Sequence, residues 1–123
     1  MIIAFNEADR IGDCLGSLAF CDEIVVVDSG STDDTRAVCE AAGARVLQRP
    51  FDGFRSQKQF AVEQAAHDWV LCLDADERVS PALKASILTA RDRSFGDAAG
   101  YRFARLSEYF GKFLRREIGR AHV

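Results

Sequence analysis

Several features that mark whole classes of protein are missing from this chain. No apolar run approaches the roughly 18 residues of a membrane-crossing helix, and the sequence does not open on a basic-then-apolar leader. A net charge of −3 supplies no basic surface for a phosphate backbone, so nucleic acid is not an expected partner. The cysteines Cys14, Cys21, Cys39 and Cys72 contain no C-x-x-C pair, and neither His67 nor His122 stands at ligand-like spacing from them. That argues against zinc and for reduced core thiols in a cytoplasmic protein. There is no G-x-G-x-x-G after a strand and no G-x-x-x-x-G-K-[ST], which excludes a dinucleotide fingerprint and a P-loop.

What is present fits one soluble domain: 123 residues, 48% hydrophobic and 28% charged. Its most informative stretch is Trp69-Val70-Leu71-Cys72-Leu73-Asp74-Ala75-Asp76-Glu77. A short apolar run ending in charge reads as a strand buried on both faces. In extended backbone residues two apart point the same way, so Asp74 and Asp76 are expected to converge on one cation. Hard carboxylate oxygens suit Mg²⁺ or Mn²⁺, shared with substrate phosphates.

The remaining elements alternate. Met1–Phe5 reads as a short strand, and Ile11, Cys14, Leu15 and Leu18 space a helix over 9–18. Glu23–Asp28 is a β-branched strand, followed by a Ser29–Asp33 turn in which Ser31 or Thr32 is expected to cap a helix ending at Gly43. That helix should bury Val38, Ala41 and Ala42. A strand over 45–48, a loop over 49–54, a helix over 56–66 and a helix over 81–93 capped at Ser80-Pro81 follow. Gly100–Arg105 alternates as a half-solvated strand, and a basic-aromatic tail starts at Glu108.

This order predicts an α/β fold, a mostly parallel sheet with helices on both faces. Ligands of such sheets bind outside the carboxyl ends of the strands. Asn6-Glu7, Asp28-Ser29 and Asp74-Ala75-Asp76 would share that edge, and acids there point to phosphate held through a divalent cation.

Taken together, Ile3–Glu7, Asp22–Asp33 and Asp68–Glu77 resemble the family 2 glycosyltransferases of GT-A, Rossmann-like fold. With Arg49-Pro50-Phe51 and Gln57-Lys58, the variant is similar to bacterial lipopolysaccharide-core β-1,4-glucosyltransferases. The resemblance covers roughly 2–114 and implies inverting sugar transfer from a UDP-sugar, with glucose as the expected sugar, to a saccharide or lipid-linked acceptor hydroxyl. It implies nucleotide-sugar contacts at Asn6, Glu7, Asp28, Ser29, Lys58 and Asp74, and metal ligands at Asp74 and Asp76. Many relatives carry a second acid where this chain has Ser29, and often Gly where it has His67. Asp33 reads as a helix-start residue.

The resemblance also implies a general base beyond the edge strand, which neither Glu77 nor Glu108 matches by position. We therefore expect residues 1–116 to be the donor-binding part of a GT-A domain incomplete at its C-terminus. Residues 117–123 depart from the pattern, and Ile118–Val123 resembles a translated sequencing adapter, so a non-native tail is expected. The Tyr109–Arg116 run reads first as core and rim of the missing half, and second as a candidate contact with the cytoplasmic face of the inner membrane. Two rival readings are an aspartate-nucleophile phosphatase, which would want Thr or Val where Arg78 stands, and a binding-only, inactive fragment.

Overall fold

The computed structural model describes residues 1–66, 69–92, 100–106 and 109–115. The expectations for His67, Glu108, Arg116 and the 117–123 tail lie outside them. Among the described residues six strands and four helices form in the order β1 (Ile2–Ala4), α1 (Ile11–Ser17), β2 (Val25–Asp28), α2 (Thr35–Ala41), β3 (Arg45–Gln48), α3 (Phe54–Gln64), β4 (Trp69–Asp74), α4 (Pro81–Asp92), β5 (Gly100–Leu106) and β6 (Tyr109–Arg115).

The strands make one sheet in the order β3-β2-β1-β4-β6-β5. The β3–β2, β2–β1 and β1–β4 pairs are parallel, while β6 is antiparallel to both β4 and β5. The chain thus steps outward from β1 to β3, then returns to β4 on the far side of β1. That reversal is the switch point at which α/β sheets open a crevice.

Because side chains alternate along a strand, each buried strand feeds two cores. Ile2, Ala4, Val26, Leu71 and Leu73 pack with Ile11, Cys14 and Leu15 of α1, Cys39 of α2 and Ile87 of α4. Val25, Val27 and Val70 pack with Ala61 and Val62 of α3 and with Ala65. Fully burying such a side chain contributes about 1.5–3 kcal/mol, which is why continuous apolar runs, and not alternating ones, mark β2 and β4.

Three expectations need correcting. First, the segment from Glu108 was expected to be a tail, but its 109–115 part forms β6, inserted between β4 and β5. Its mixture of basic and aromatic residues has no clean period, and an antiparallel insertion is defined by the open edge of β4. Second, α2 starts at Thr35, so the face at i, i+3 and i+4 is Thr35, Val38 and Cys39, and Ala41 and Ala42 are exposed. Third, α3 begins two residues earlier than expected, at Phe54, after Gly53 in left-handed backbone at φ 126°.

The end of α2 behaves as its glycine predicts. Gly43 adopts φ 84°, its N–H donates to the Glu40 carbonyl at 3.0 Å, and the Ala44 N–H donates to the Cys39 carbonyl at 3.1 Å. This paired closure satisfies two carbonyls of the last turn. A Cβ at Gly43 would meet nothing within 4 Å, so substitution there tests backbone conformation alone. Gly43→Ala is expected to cost about 1–2 kcal/mol, the penalty of an L-residue in left-handed backbone, and to lower Tm by several degrees in a thermal melt. An unchanged Tm would contradict the assignment.

Burial pushes the Cys14 thiol up to about 12 and the Cys39 thiol up to about 11, and raises the less enclosed Cys21 thiol as well. Since the thiolate is the reactive form, alkylation at pH 8 should label Cys21, which is only partly buried, well before Cys14 or Cys39. Peptide mass spectrometry of a time course checks this, and simultaneous labelling of all three would refute the packing.

Candidate functional site

Adjacent parallel strands β2, β1 and β4 end on the same edge, with Asp28 in register with Ala4 and Asp74 with Ile3. Beyond Ala4 the chain turns through Phe5, Asn6 and Glu7. Asn6 sits at φ 51°, a left-handed conformation that asparagine tolerates better than most residues. Its N–H donates to Ser31 Oγ at 2.8 Å, and its Oδ1 accepts from the Thr32 N–H at 2.8 Å. One residue on, the Glu7 N–H donates to Thr35 Oγ1 at 2.8 Å. The β1–α1 and β2–α2 loops are therefore laced together by backbone-to-side-chain bonds.

Asp33 anchors the other side of this lacing. Its Oδ1 accepts the Thr35 N–H at 3.0 Å and the Thr35 hydroxyl, and its Oδ2 accepts the Ala8 N–H at 3.3 Å. The hydroxyl bond, first among several, holds the Asp33 carboxyl below the usual carboxylate range. The helix-start reading of Asp33 agrees with this geometry. Ser31 and Thr32 do not cap α2 as expected: Ser31 bridges Asn6 to Asp28, and Thr32 is bound to Asn6.

Asp28 is 0% exposed. Its Oδ2 accepts the N–H groups of Gly30 at 3.1 Å and Ser31 at 2.8 Å, and its Oδ1 accepts the Ser31 hydroxyl. The sequence reading put Asp28 against a nucleotide. Here its carboxylate is closed off from the cleft because its own loop folds back onto it. A buried carboxylate with three donors is well compensated, and Gly30 at φ 101° permits the tight return.

Ser29 faces the other way. Its N–H is tied to the Ala4 carbonyl at 2.9 Å, and its Oγ accepts from Gln57 Nε2 at 3.1 Å. Gln57 is fully buried on α3, donates also to the Arg49 carbonyl at 3.1 Å, and accepts from Arg49 Nη1 at 2.8 Å. Arg49 in turn pairs with Asp52 at 2.9 Å and lies 5.2 Å over the Phe60 ring. That pairing is the largest influence holding the Asp52 carboxyl below its ordinary range. Sequence reasoning missed this network. The signal that could have exposed it is Gln57 itself, a polar residue four before Ala61 on the buried stripe of α3.

Asp74 is the last residue of β4, and the Glu77 N–H donates to its carbonyl at 3.0 Å. The D-x-D segment leaves the strand through a turn, yet exposure alternates along it, with Ala75 and Glu77 buried between and beyond the two aspartates. Both side chains are exposed, and neither accepts a hydrogen bond from the described residues. Buried Glu77 instead accepts the Asp74 N–H through Oε1 at 2.9 Å, bracing the turn. Among the described residues no group of three acids, cysteines or histidines gathers as a ready metal cage. Two exposed carboxylates fit a Mg²⁺ or Mn²⁺ that keeps waters and takes its other oxygens from a phosphate. Lys58 follows Gln57 on α3, is partly exposed, and makes no ion pair among the described residues.

A cavity of about 480 Å³ opens on this edge, lined by Ile3, Ala4, Phe5, Glu7, Ser29, Phe51 and Phe54. Three large aromatic side chains stand at the surface here, Phe5 at 54%, Phe51 at 46% and Phe54 at 70% exposed. The Phe51 and Phe54 rings meet edge to face at 4.9 Å. The site therefore combines apolar walls, a few convergent polar groups and flanking acids, the usual make-up of a small-molecule pocket.

Comparison with known proteins agrees with this architecture. The lipopolysaccharide core biosynthesis glycosyltransferase LpsC of Rhizobium meliloti is 43% identical over 112 residues, 85% of this chain and 40% of LpsC. The chain thus spans about two fifths of that relative's length. Among solved structures, S. aureus TarS 1–349 superposes with a TM-score of 0.68 at 22% identity, over 94% of this chain and 45% of that one. Glucosyl-3-phosphoglycerate synthase of Mycobacterium tuberculosis, solved with Mn²⁺, UDP and glucosyl-3-phosphoglycerate, superposes with a TM-score of 0.59 at 24% identity, covering 94% and 55% of the two chains. These likenesses place the α/β sheet in the GT-A fold. The family description "Glycosyl transferase family 2" matches residues 1–120, and the chain belongs to that family.

Proposed function

We propose that this domain binds a UDP-sugar at the shared edge of β2, β1 and β4 and serves its transfer, with inversion, to an acceptor hydroxyl in lipopolysaccharide-core or other envelope glycan synthesis. The observation that carries the reading is the convergence of Asn6, Glu7, Ser29 and Asp74 from three neighbouring strand ends beside one cavity. The name of LpsC supports the pathway, and the ligands of the mycobacterial synthase support UDP and a divalent cation. The phosphatase alternative finds no support in a family match over residues 1–120.

In this proposal Asn6, Glu7 and Ser29 flank the base and ribose, and Asp74 takes the ribose or sugar side. Asp76, with Asp74, holds Mg²⁺ or Mn²⁺, and the Lys58 ammonium offsets diphosphate charge. Asp28 serves from within, by fixing the loop that presents Ser29. A divalent cation bound at Asp74 and Asp76 supplies Lewis-acid stabilisation of the departing diphosphate. Residues 1–116 make up the donor-binding part, and glucose is the proposed sugar. Among the described residues no helix is long and apolar enough to cross a membrane. We place the protein in the cytoplasm, meeting a saccharide or lipid-linked acceptor at the inner membrane's cytoplasmic face.

Calorimetric titration with UDP-glucose is expected to show binding in Mn²⁺ that weakens at least about tenfold on chelation or in Asp76→Ala. Metal-independent binding, or none, would sink the donor-site reading. Asp28→Ala leaves two N–H groups and a hydroxyl without their acceptor, at an expected cost of about 2–3 kcal/mol in urea unfolding. A stability unchanged within error would show that the loop does not depend on this carboxylate.

A further inference from the structure

Gln57 has no evident reason to be buried on an otherwise apolar helix face unless its amide has work there. Packing alone would favour a hydrocarbon side chain of similar volume, because a buried amide must find partners for its donors and its acceptor. Two of its three bonds go to Arg49, and the third ends on the cleft, at Ser29 Oγ. The Arg49 guanidinium donates to Gln57 Oε1 at 2.8 Å, which settles which end of the amide is oxygen. The Gln57 NH₂ group must then face Ser29 Oγ and the Arg49 carbonyl, both at 3.1 Å. Arg49 is itself held by Asp52 and by its own N–H on the Asp28 carbonyl at 3.0 Å. The amide cannot flip without breaking the guanidinium bond and setting oxygen against oxygen at Arg49.

The consequence falls on the Ser29 hydroxyl. A serine Oγ has one proton and two lone pairs. Gln57 fills one lone pair as a donor, so the Ser29 proton is not needed for that contact, and Ser29 donates to no acceptor among the described residues. Ser29 also lines the cavity. We propose that Gln57, oriented by Arg49, is a positioning residue that keeps the Ser29 hydroxyl as a hydrogen-bond donor to the bound nucleotide. The group it recognises is an acceptor oxygen, a base carbonyl or ribose oxygen. An acid at that position could only accept while ionised, so the serine reverses the polarity of the contact. This inference rests on the donor-site reading above and specifies the chemistry of one of its contacts.

The test is titration of the full chain with UDP in Mn²⁺, using wild type, Ser29→Ala, Gln57→Glu and the double variant, with Tm measured for each. Gln57→Glu keeps the shape and the bond from the Arg49 guanidinium, gives up the bond to the Arg49 carbonyl, and turns the donor facing Ser29 into an acceptor that takes its proton. Ser29→Ala and Gln57→Glu are each expected to weaken UDP binding about five- to tenfold, the scale of one hydrogen bond. In the Ser29→Ala background Gln57→Glu should add nothing to that loss, because its effect runs through the hydroxyl. Wild-type binding with Ser29→Ala unchanged would overturn this inference and leave the donor site standing. A further equal loss in the double variant would also overturn it, since it would show Gln57 acting through the general fold. Absence of UDP binding by wild type would remove both readings. Should Gln57→Glu fail to fold, Gln57→Met removes the donor without a buried charge: a loss of UDP binding confined to the Ser29 background supports the inference, and no loss, or an equal loss in both serine backgrounds, overturns it.

Discussion

The buried carboxylate of Asp28 is the constraint from which the edge of this sheet is built. A charge with no exposure to water must be matched by donors, and the nearest ones belong to the next three residues. Satisfying it bends the β2–α2 loop back on itself, which Gly30 allows. The bend places Ser31 to receive Asn6 and turns Ser29 toward the cavity. The two loops of the cleft are thus shaped by one electrostatic requirement at the end of β2.

Around that point the site divides into layers with different physics. Asp28, Thr35 and Gln57 are fully buried polar groups whose hydrogen bonds are made within the protein. Asn6, Asp74 and Asp76 are exposed and retain capacity for a ligand. A division of this kind lets a cleft hold its shape before a ligand arrives, so less ordering cost remains to be met on binding. The aromatic side follows the same pattern, because the Arg49–Asp52 pair and the Gln57 bonds secure the loop that carries Phe51 and leads into Phe54 at the start of α3.

Much of the fold was legible because it depends on local pattern. Continuous apolar runs identified β2 and β4, i, i+3, i+4 spacing identified α1, and Gly43 marked the end of α2. The residues at the cleft were legible for a related reason: a charge directly after a buried strand must lie at the sheet's edge. β6 was not legible, because its pairing depends on the exposed ladder of β4 and not on any period within 109–115. The start of α2 shifted because Asp33 and Thr35 bind one another in preference to the Ser31 cap.

The sequence by itself determined the α/β class, the strand ends that make the cleft and the acidic character of the turn after β4, since these follow from hydrophobic pattern and charge placement along the chain. Only the tertiary structure decided what each residue does there. Asp28 lies inside and Ser29 outside because the loop folds onto the carboxylate. Asp74 and Asp76 lie on a turn because Glu77 closes it. Gln57 belongs to the site because α3 crosses behind Ser29. Each outcome depends on contacts between residues far apart in the chain or on a turn closing, and neither has a signature in residue periodicity.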